Sequence, residues 1–311
     1  MKIVTFIKDN NRAPRVGALL NDDSEILDFA RAIQYENANL LAWFDIDGEC
    51  LKQATSVYNN IAENQQSLNN AREEGFLIAR SEGHLLAPVP RPGKLICIGL
   101  NYRDHAAESN MPIPERPVVF SKFTSSVVAP NASIILPSTS EQVDYEAELA
   151  VVIGRYAKKV PRNQAFDYVL GYTIFNDVSA RDFQFADGQW QRGKSCDTFA
   201  PMGETIVTID EVADPHSLSI KLRLNGETMQ DSNTNQLIFG IPELIEFLSE
   251  TITLEPGDVI ATGTPPGVGF ARKPPVFLRD GDVVEVEIER LGILTNTVIA
   301  AEKAVSKFAL S

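Results

Sequence analysis

The alternation of apolar and polar positions divides the chain into a short first part and a longer, strand-rich second part. Two strand-like runs, Ile3–Lys8 and Val16–Leu20, open it, and a helix-like stretch rich in Asn, Gln and Glu follows from about Gln34 to Ala79. Pro88, Pro90, Pro92 and Gly93 then stop any regular element across Leu86–Gly93. The expected organisation is a small N-terminal α/β accessory domain over residues 1–86 and a larger domain carrying the chemistry over residues 87–311. In the second part, Lys94–Leu100, Val143–Ile153, Val169–Asn176, Leu218–Leu224, Asp258–Ala261 and Val283–Glu289 read as strands, with turns at Asn225-Gly226 and Asp280-Gly281. One helix is clear. Ile241, Leu244, Ile245 and Leu248 repeat at i, i+3, i+4 and i+7, with Pro242 suited to the first turn, so an amphipathic helix packs on a sheet. The fold class is α+β and β-rich.

Composition narrows the function. With 44% hydrophobic and 23% charged residues the chain has ordinary globular usage. Its 28 Lys and Arg against 42 Asp and Glu give a formal charge of −14, the wrong sign for a protein that neutralises phosphates, so no nucleic-acid partner is expected. No apolar run approaches the roughly 20 residues of a membrane helix, so no membrane partner is expected either. Met1–Phe6 leads straight into a strand pattern, which points to a cytoplasmic location, with an organelle reached after removal of a presequence as the alternative. Cys50, Cys97 and Cys196 lie far apart without a CxxC pair, which indicates neither a disulfide framework nor a zinc site. Cys196 follows Lys194 by two residues, and its simplest role is that of a small buried hydrophobe.

Strand alternation in Val143–Ile153 places Asp144, Glu146 and Glu148 on one face. Three like charges repel there, on a strand that continues into the apolar Ala150–Ile153, and a cation removes the conflict. Asp177 stands where Val169–Asn176 runs out, a usual place for a site residue to leave a rigid element. Two glutamates and an aspartate form a hard oxygen set suited to Mg²⁺ or Mn²⁺, with Ca²⁺ possible. For Glu-x-Glu alone, a solvated strand face with Asp177 capping a turn is the competing account.

Five segments in order carry a family resemblance: Ile98–His105 with Glu108, Asp144–Leu149, Asn176–Asp182, Gly193–Ser195 ahead of Asp197 and Thr198, and Ala261–Gly269. From about Lys94 to Val298 the chain resembles the fumarylacetoacetate hydrolase superfamily, nearest to its domain-containing protein 2 branch and to bacterial oxaloacetate-processing relatives. The resemblance implies a mixed β-roll core, a homodimer, and Mg²⁺ or Mn²⁺ held by Glu146, Glu148 and Asp177. It makes His105 and Glu108 a dyad that deprotonates a water, and their i, i+3 spacing fits one short helix. Lys194 would place an ammonium against an enolate or carboxylate, Arg181 and Gln184 would make polar contacts to the bound acid, and Thr264 would offer a hydroxyl, with Thr262 as its rival. The proline-broken Ser109–Pro117 is expected to order over substrate. His84 and His216 fall in no motif and read as structural. Gly263, Gly267 and Gly269 lack the GxxxxGK[ST] pattern, so no nucleotide site is expected.

The expected activity is C–C hydrolysis of an acylpyruvate-type small 2-oxo acid through a metal-stabilised enolate. Oxaloacetate decarboxylation or keto–enol tautomerisation is the alternative, and a non-catalytic metabolite-binding protein is the contrasting class.

Overall fold

The computed structural model describes residues 1–8, 11–37, 39–108, 112–186 and 188–308. Two sheets organise it. The larger runs in the order Leu77–Ala79, Glu25–Asp28, Asn11–Leu20, Lys2–Lys8, Ile206–Thr208, Val169–Asn176, Ala147–Ile153, Val259–Ala261, Leu95–Gly99, Val118–Ser121, with Gly83–Leu85 paired to the side of Lys2–Lys8. Lys2 and Ile3 pair with Val207 and Ile206, so the sheet continues from the N-terminal strands into those that carry the acidic residues. A five-stranded sheet, ordered Glu227–Asn233, Ser219–Leu224, Val283–Ile288, Gly292–Ala300, Ile134–Leu136, packs against the other side of the central strands. Helices are few and short, which makes the fold α+β and strand-rich as the pattern indicated.

Where the pattern is strongest the elements agree. The helix Ile241–Thr251 buries Ile241, Leu244, Ile245 and Leu248 and carries Pro242 in its first turn. Its N-cap is Gly240, which has no side chain to cap with. Instead the Nε2 of His216 accepts the Ile241 N–H at 3.0 Å, and a Cβ on Gly240 would come within 3.1 Å of that nitrogen. The hairpin between Ser219–Leu224 and Glu227–Asn233 turns on Asn225 and Gly226, both at positive φ, as its two-residue loop requires.

Two expectations change. The stretch Gln34–Ala79 is not one helix: it holds a 3-10 turn at Leu40–Trp43, helices Glu49–Glu63 and Gln65–Glu73, and a strand at Leu77–Ala79. The Asn64 side chain accepts from Gln66 N–H and Ser67 N–H, which starts the second helix where the first ends. The run Val143–Ile153 is interrupted at Tyr145 and Glu146, and from Ala147 onward it is buried on both faces, so alternation there does not mean one wet side.

Candidate active site

The register of two antiparallel strands brings the carboxylates together. Ala147 pairs with Asn176 and Glu148 with Phe175, which sets Glu146 opposite Asp177, and the Asp177 N–H donates to the Glu146 carbonyl at 2.9 Å. Glu148, two residues further along the strand, shares the face. Ligand oxygens from Glu146, Glu148 and Asp177 all lie within 4.8 Å of one another, and the three residues are buried.

Such a cluster needs positive charge, and the chain supplies it from three directions. Lys194, at the end of the short helix Trp190–Lys194, places Nζ 2.8 Å from both Glu146 and Asp177. Arg181 Nη2 lies 2.6 Å from Glu146. Lys122, with a fully buried side chain, pairs with the other Asp177 oxygen and donates to the Val178 carbonyl at 2.9 Å. Burial alone would raise the Glu146 carboxyl, but Lys194 and Arg181 outweigh it and bring it down to about 2. Among the described residues no cation pairs with Glu148. Burial, with Asp177 and Glu146 beside it, pushes its carboxyl well above the usual carboxylate range. Burial would also lower the Lys194 ammonium, yet Asp177 and Glu146 prevail and hold it charged.

A loop clamps this floor through backbone N–H groups. Gly263 donates to Glu148 at 2.9 Å, Gly267 to Glu108 at 3.1 Å, and Gly269 and Phe270 to Asp144 at 2.7 and 3.1 Å. Gly263 sits at φ +106° with Asn101 Cβ 2.8 Å from where its own Cβ would be, so only glycine can turn its N–H onto Glu148 there. Asp144 also takes Arg181 Nε at 2.9 Å and Nη2 at 2.8 Å, which fixes the guanidinium against Glu146.

The floor opens into a cavity of about 450 Å³, whose walls include His105, Glu108, Arg181, Gln184, Lys194 and Thr264 together with Glu146 and Glu148. His105 and Glu108 share the helix Arg103–Glu108; Nδ1 of the imidazole is 3.4 Å from Glu108 Oε2, has no hydrogen bond among the described residues, and the same carboxylate oxygen accepts from the Gly267 N–H. The Gln184 amide oxygen accepts from Arg181 Nη1 at 2.9 Å. Thr264 lines the cavity with its oxygen accepting from Gln230 Nε2 at 2.9 Å, whereas the Thr262 hydroxyl donates to the Leu149 carbonyl and is not on the wall. Of the segment Ser109–Pro117, Ser109, Asn110 and Met111 lie outside the described residues, and Pro112–Pro117 has no regular structure. Burial raises the Cys97 and Cys196 thiols, so neither is poised as a thiolate.

Sequence reasoning missed Lys122 and gave Asp144 no role of its own. The signal for Lys122 was a lysine between Phe120 and Phe123 at the end of an apolar strand, since a lysine that deep persists only beside a carboxylate.

The carboxylate floor ringed by cations and the two-sheet frame are those of an enzyme of the fumarylacetoacetate hydrolase superfamily. The family model described as the fumarylacetoacetate (FAA) hydrolase C-terminal domain matches residues 94–299, and the chain belongs to that family. Its relatives include a Xenopus laevis protein named mitochondrial oxaloacetate tautomerase, 44% identical over 301 residues that cover 96% of this chain and 90% of that one. A human protein named mitochondrial oxaloacetate tautomerase is 52% identical over 225 residues, 72% of each chain. Among solved structures, a fumarylacetoacetate hydrolase from Exiguobacterium antarcticum aligns with a TM-score of 0.77 at 35% identity, covering 96% of this chain and 99% of that one. A 2-hydroxyhepta-2,4-diene-1,7-dioate isomerase from Mycobacterium marinum aligns at 0.74 and 33%, covering 97% and 99%. The mitochondrial names of the frog, rat and human relatives overturn the cytoplasmic expectation. That expectation failed because a compartment is set by an address that import machinery reads, not by the composition of the folded part.

Proposed function

We propose that this protein is a divalent-metal-dependent enzyme that interconverts the keto and enol forms of a small 2-oxo acid, with oxaloacetate as the first substrate to test. The observation that carries the reading is the buried Glu146, Glu148 and Asp177 cluster opening into a cavity that also holds His105 and Lys194. The names of the relatives support tautomerisation over the acylpyruvate hydrolysis expected from the sequence. The residues fit a hard cation. They are an all-oxygen set, and Glu148, whose carboxyl is driven toward its neutral form by burial and then by Asp177 and Glu146, is the one of the three that makes no ion pair among the described residues, which leaves a place for added positive charge. When bound there, Mg²⁺ or Mn²⁺ would supply Lewis-acid polarisation of the 2-oxo group.

The chain's own groups do the rest. Tautomerisation breaks a C3–H bond, shifts that electron pair into the C2–C3 bond and places a proton on the 2-oxo oxygen, and no carbon–carbon bond breaks. His105 lines the cavity with its buried Nδ1 3.4 Å from Glu108, so its other ring nitrogen is the one suited to accept the C3 proton, and Glu108 is near enough to settle the charge on the ring. Lys194 stabilises negative charge developing at oxygen. Thr264 already accepts from Gln230, so its hydroxyl hydrogen is left to donate to a substrate oxygen. Arg181, tied to Asp144, Glu146 and Gln184, serves to hold the floor in place. The homodimer implied by the resemblance belongs to the same proposal, and light scattering of the purified chain tests it.

The test follows the ultraviolet absorbance of enol-oxaloacetate after adding the protein with Mg²⁺, with Mn²⁺ and with a chelator. Acceleration by the metal-loaded protein that chelation removes supports the reading. Equal rates with and without chelator, or hydrolysis of acetylpyruvate with no effect on oxaloacetate, would sink it.

A further inference from the structure

The cavity is walled by both charged and apolar side chains. The carboxylates, Lys194 and Arg181 are buried in it; Phe120, Trp190, Val268 and Phe270 also line it, with Phe120 edge-on to Trp190 at 5.4 Å between ring centroids; and Lys273 is an exposed lysine on its wall. The cations of the floor are each already paired with carboxylates. Arg181 spends its donors on Asp144, Glu146 and Gln184, and Lys194 bridges Glu146 and Asp177. Lys273 differs. It is exposed, and among the described residues it makes no ion pair, although Glu108, Glu227 and Asp282 line the groove of about 810 Å³ that it shares with Arg272 and Arg279. Two of those carboxylates are engaged elsewhere, Glu108 by the Gly267 N–H and Asp282 by the Arg279 N–H and the Asn225 amide.

The floor holds four carboxylates, Asp144, Glu146, Glu148 and Asp177, against three cations, Lys122, Arg181 and Lys194. With a divalent cation added it carries one net positive charge, enough for one carboxylate of a substrate and no more. A second carboxylate placed against the apolar part of the wall would be desolvated without a partner, which is costly. Among the described residues Lys273 is the lysine of this wall that makes no ion pair.

We propose that Lys273 forms an outer subsite that selects two-ended acids, in which a 2-oxo carboxylate enters the floor and a second carboxylate at the far end meets the Lys273 ammonium. This inference rests on the 2-oxo acid reading above and names its substrate class as dicarboxylates. The segment that carries Lys273 is well anchored. Gly269 and Phe270 are held by Asp144, and Arg272 Nη1 donates to the Met229 carbonyl at 3.1 Å, so the segment is attached to the same residue that fixes Arg181 at the floor.

The test uses the metal-loaded full chain as wild type, Lys273→Gln and Lys273→Arg. KM and kcat are measured for oxaloacetate and for its 4-ethyl ester, which keeps the 2-oxo carboxylate and masks the far one. Calorimetric Kd values for 2-oxoglutarate and its 5-methyl ester give the same comparison without turnover. The wild type should prefer each free acid over its ester, Lys273→Gln should reduce that preference roughly tenfold through KM and Kd with kcat little moved, and Lys273→Arg should retain it. A wild type with no preference in either pair, or a Lys273→Gln variant with the wild-type preference, overturns the subsite. Failure of the function reading looks different. Wild type would then turn over neither oxaloacetate nor its ester, while the binding preference and its dependence on Lys273 would still decide the subsite.

Discussion

Glu146 and Asp177 stand directly opposite each other on adjacent antiparallel strands, joined by a 2.9 Å backbone hydrogen bond, with the Lys194 ammonium 2.8 Å from each carboxylate. Two acids forced together in this way, with Glu148 beside them, create a place for a cation whatever the substrate is. Mn²⁺ or Mg²⁺ should therefore raise the thermal midpoint of the wild type, by linkage worth about 2.7 kcal/mol at a hundredfold excess over Kd. Glu148→Ala should lose most of that shift while keeping the circular dichroism of the folded chain. An equal metal-induced shift in both proteins would move the ion elsewhere.

Lys122 tests how far the floor depends on buried charge pairing. Its ammonium has no access to solvent and answers to Asp177 and the Val178 carbonyl. Lys122→Met removes one partner and leaves the Asp177 carboxylate short of compensation, a change that typically costs about 3–5 kcal/mol. Urea unfolding should register the loss in the absence of metal. A loss below about 1 kcal/mol would mean that Lys194 alone satisfies Asp177.

What was legible in the sequence follows from what is local. Ile241, Leu244, Ile245 and Leu248 mark their helix because its period and its first-turn proline are properties of eleven consecutive residues. Glu146 and Glu148 could be placed on one face for the same reason. Their pairing with Asp177 could not be derived from the strands themselves, since it depends on register, which is set by long-range packing. The break at Tyr145 and Glu146 escaped the pattern because Asn176 Oδ1 and Gln230 Oε1, far away in sequence, take over the N–H groups of Glu146 and Ala147. Lys122 and Lys273 were passed over for a related reason: a lone lysine acquires meaning only from what surrounds it, buried carboxylates in one case and a cavity wall in the other.

His216 predicts a pH dependence of stability. Its Nε2 accepts the first N–H of the helix Ile241–Thr251, which an imidazolium cannot do, and burial lowers its pKa below the ordinary 6.5 against the smaller opposing pull of Asp214. A depressed folded pKa means that the unfolded chain binds the proton more readily. The cap is thus fully present above pH 6.5 and is lost as pH falls through the lowered folded value. His216→Ala should cost roughly 0.5–2 kcal/mol near pH 7.5, the usual worth of a helix cap, and the difference from wild type should shrink on acidification. Thermal melts of both proteins from pH 5 to 8 check this, and a constant difference across the range would deny the cap its pH sensitivity.

The last prediction separates proton transfer from water activation at His105. If the imidazole takes the C3 proton, His105→Ala should slow oxaloacetate tautomerisation by about 10²–10⁴-fold, the usual range for a general base, and should do so in kcat with KM little changed. If the His105 and Glu108 pair serves only to activate a water, tautomerisation needs no such step, and the variant should stay near wild type on oxaloacetate while any hydrolysis of acetylpyruvate collapses. Lys194→Ala gives the reference for a loss common to both reactions, because charge stabilisation at the 2-oxo oxygen is shared by them. Both reactions are measured side by side on the two variants, after sizing and circular dichroism show that each is folded. His105 stands on the same cavity wall as the floor carboxylates, with Nδ1 3.4 Å from Glu108, a geometry that both roles require. Near-wild-type tautomerisation in His105→Ala would withdraw the histidine from proton transfer and leave that step to another group of the floor.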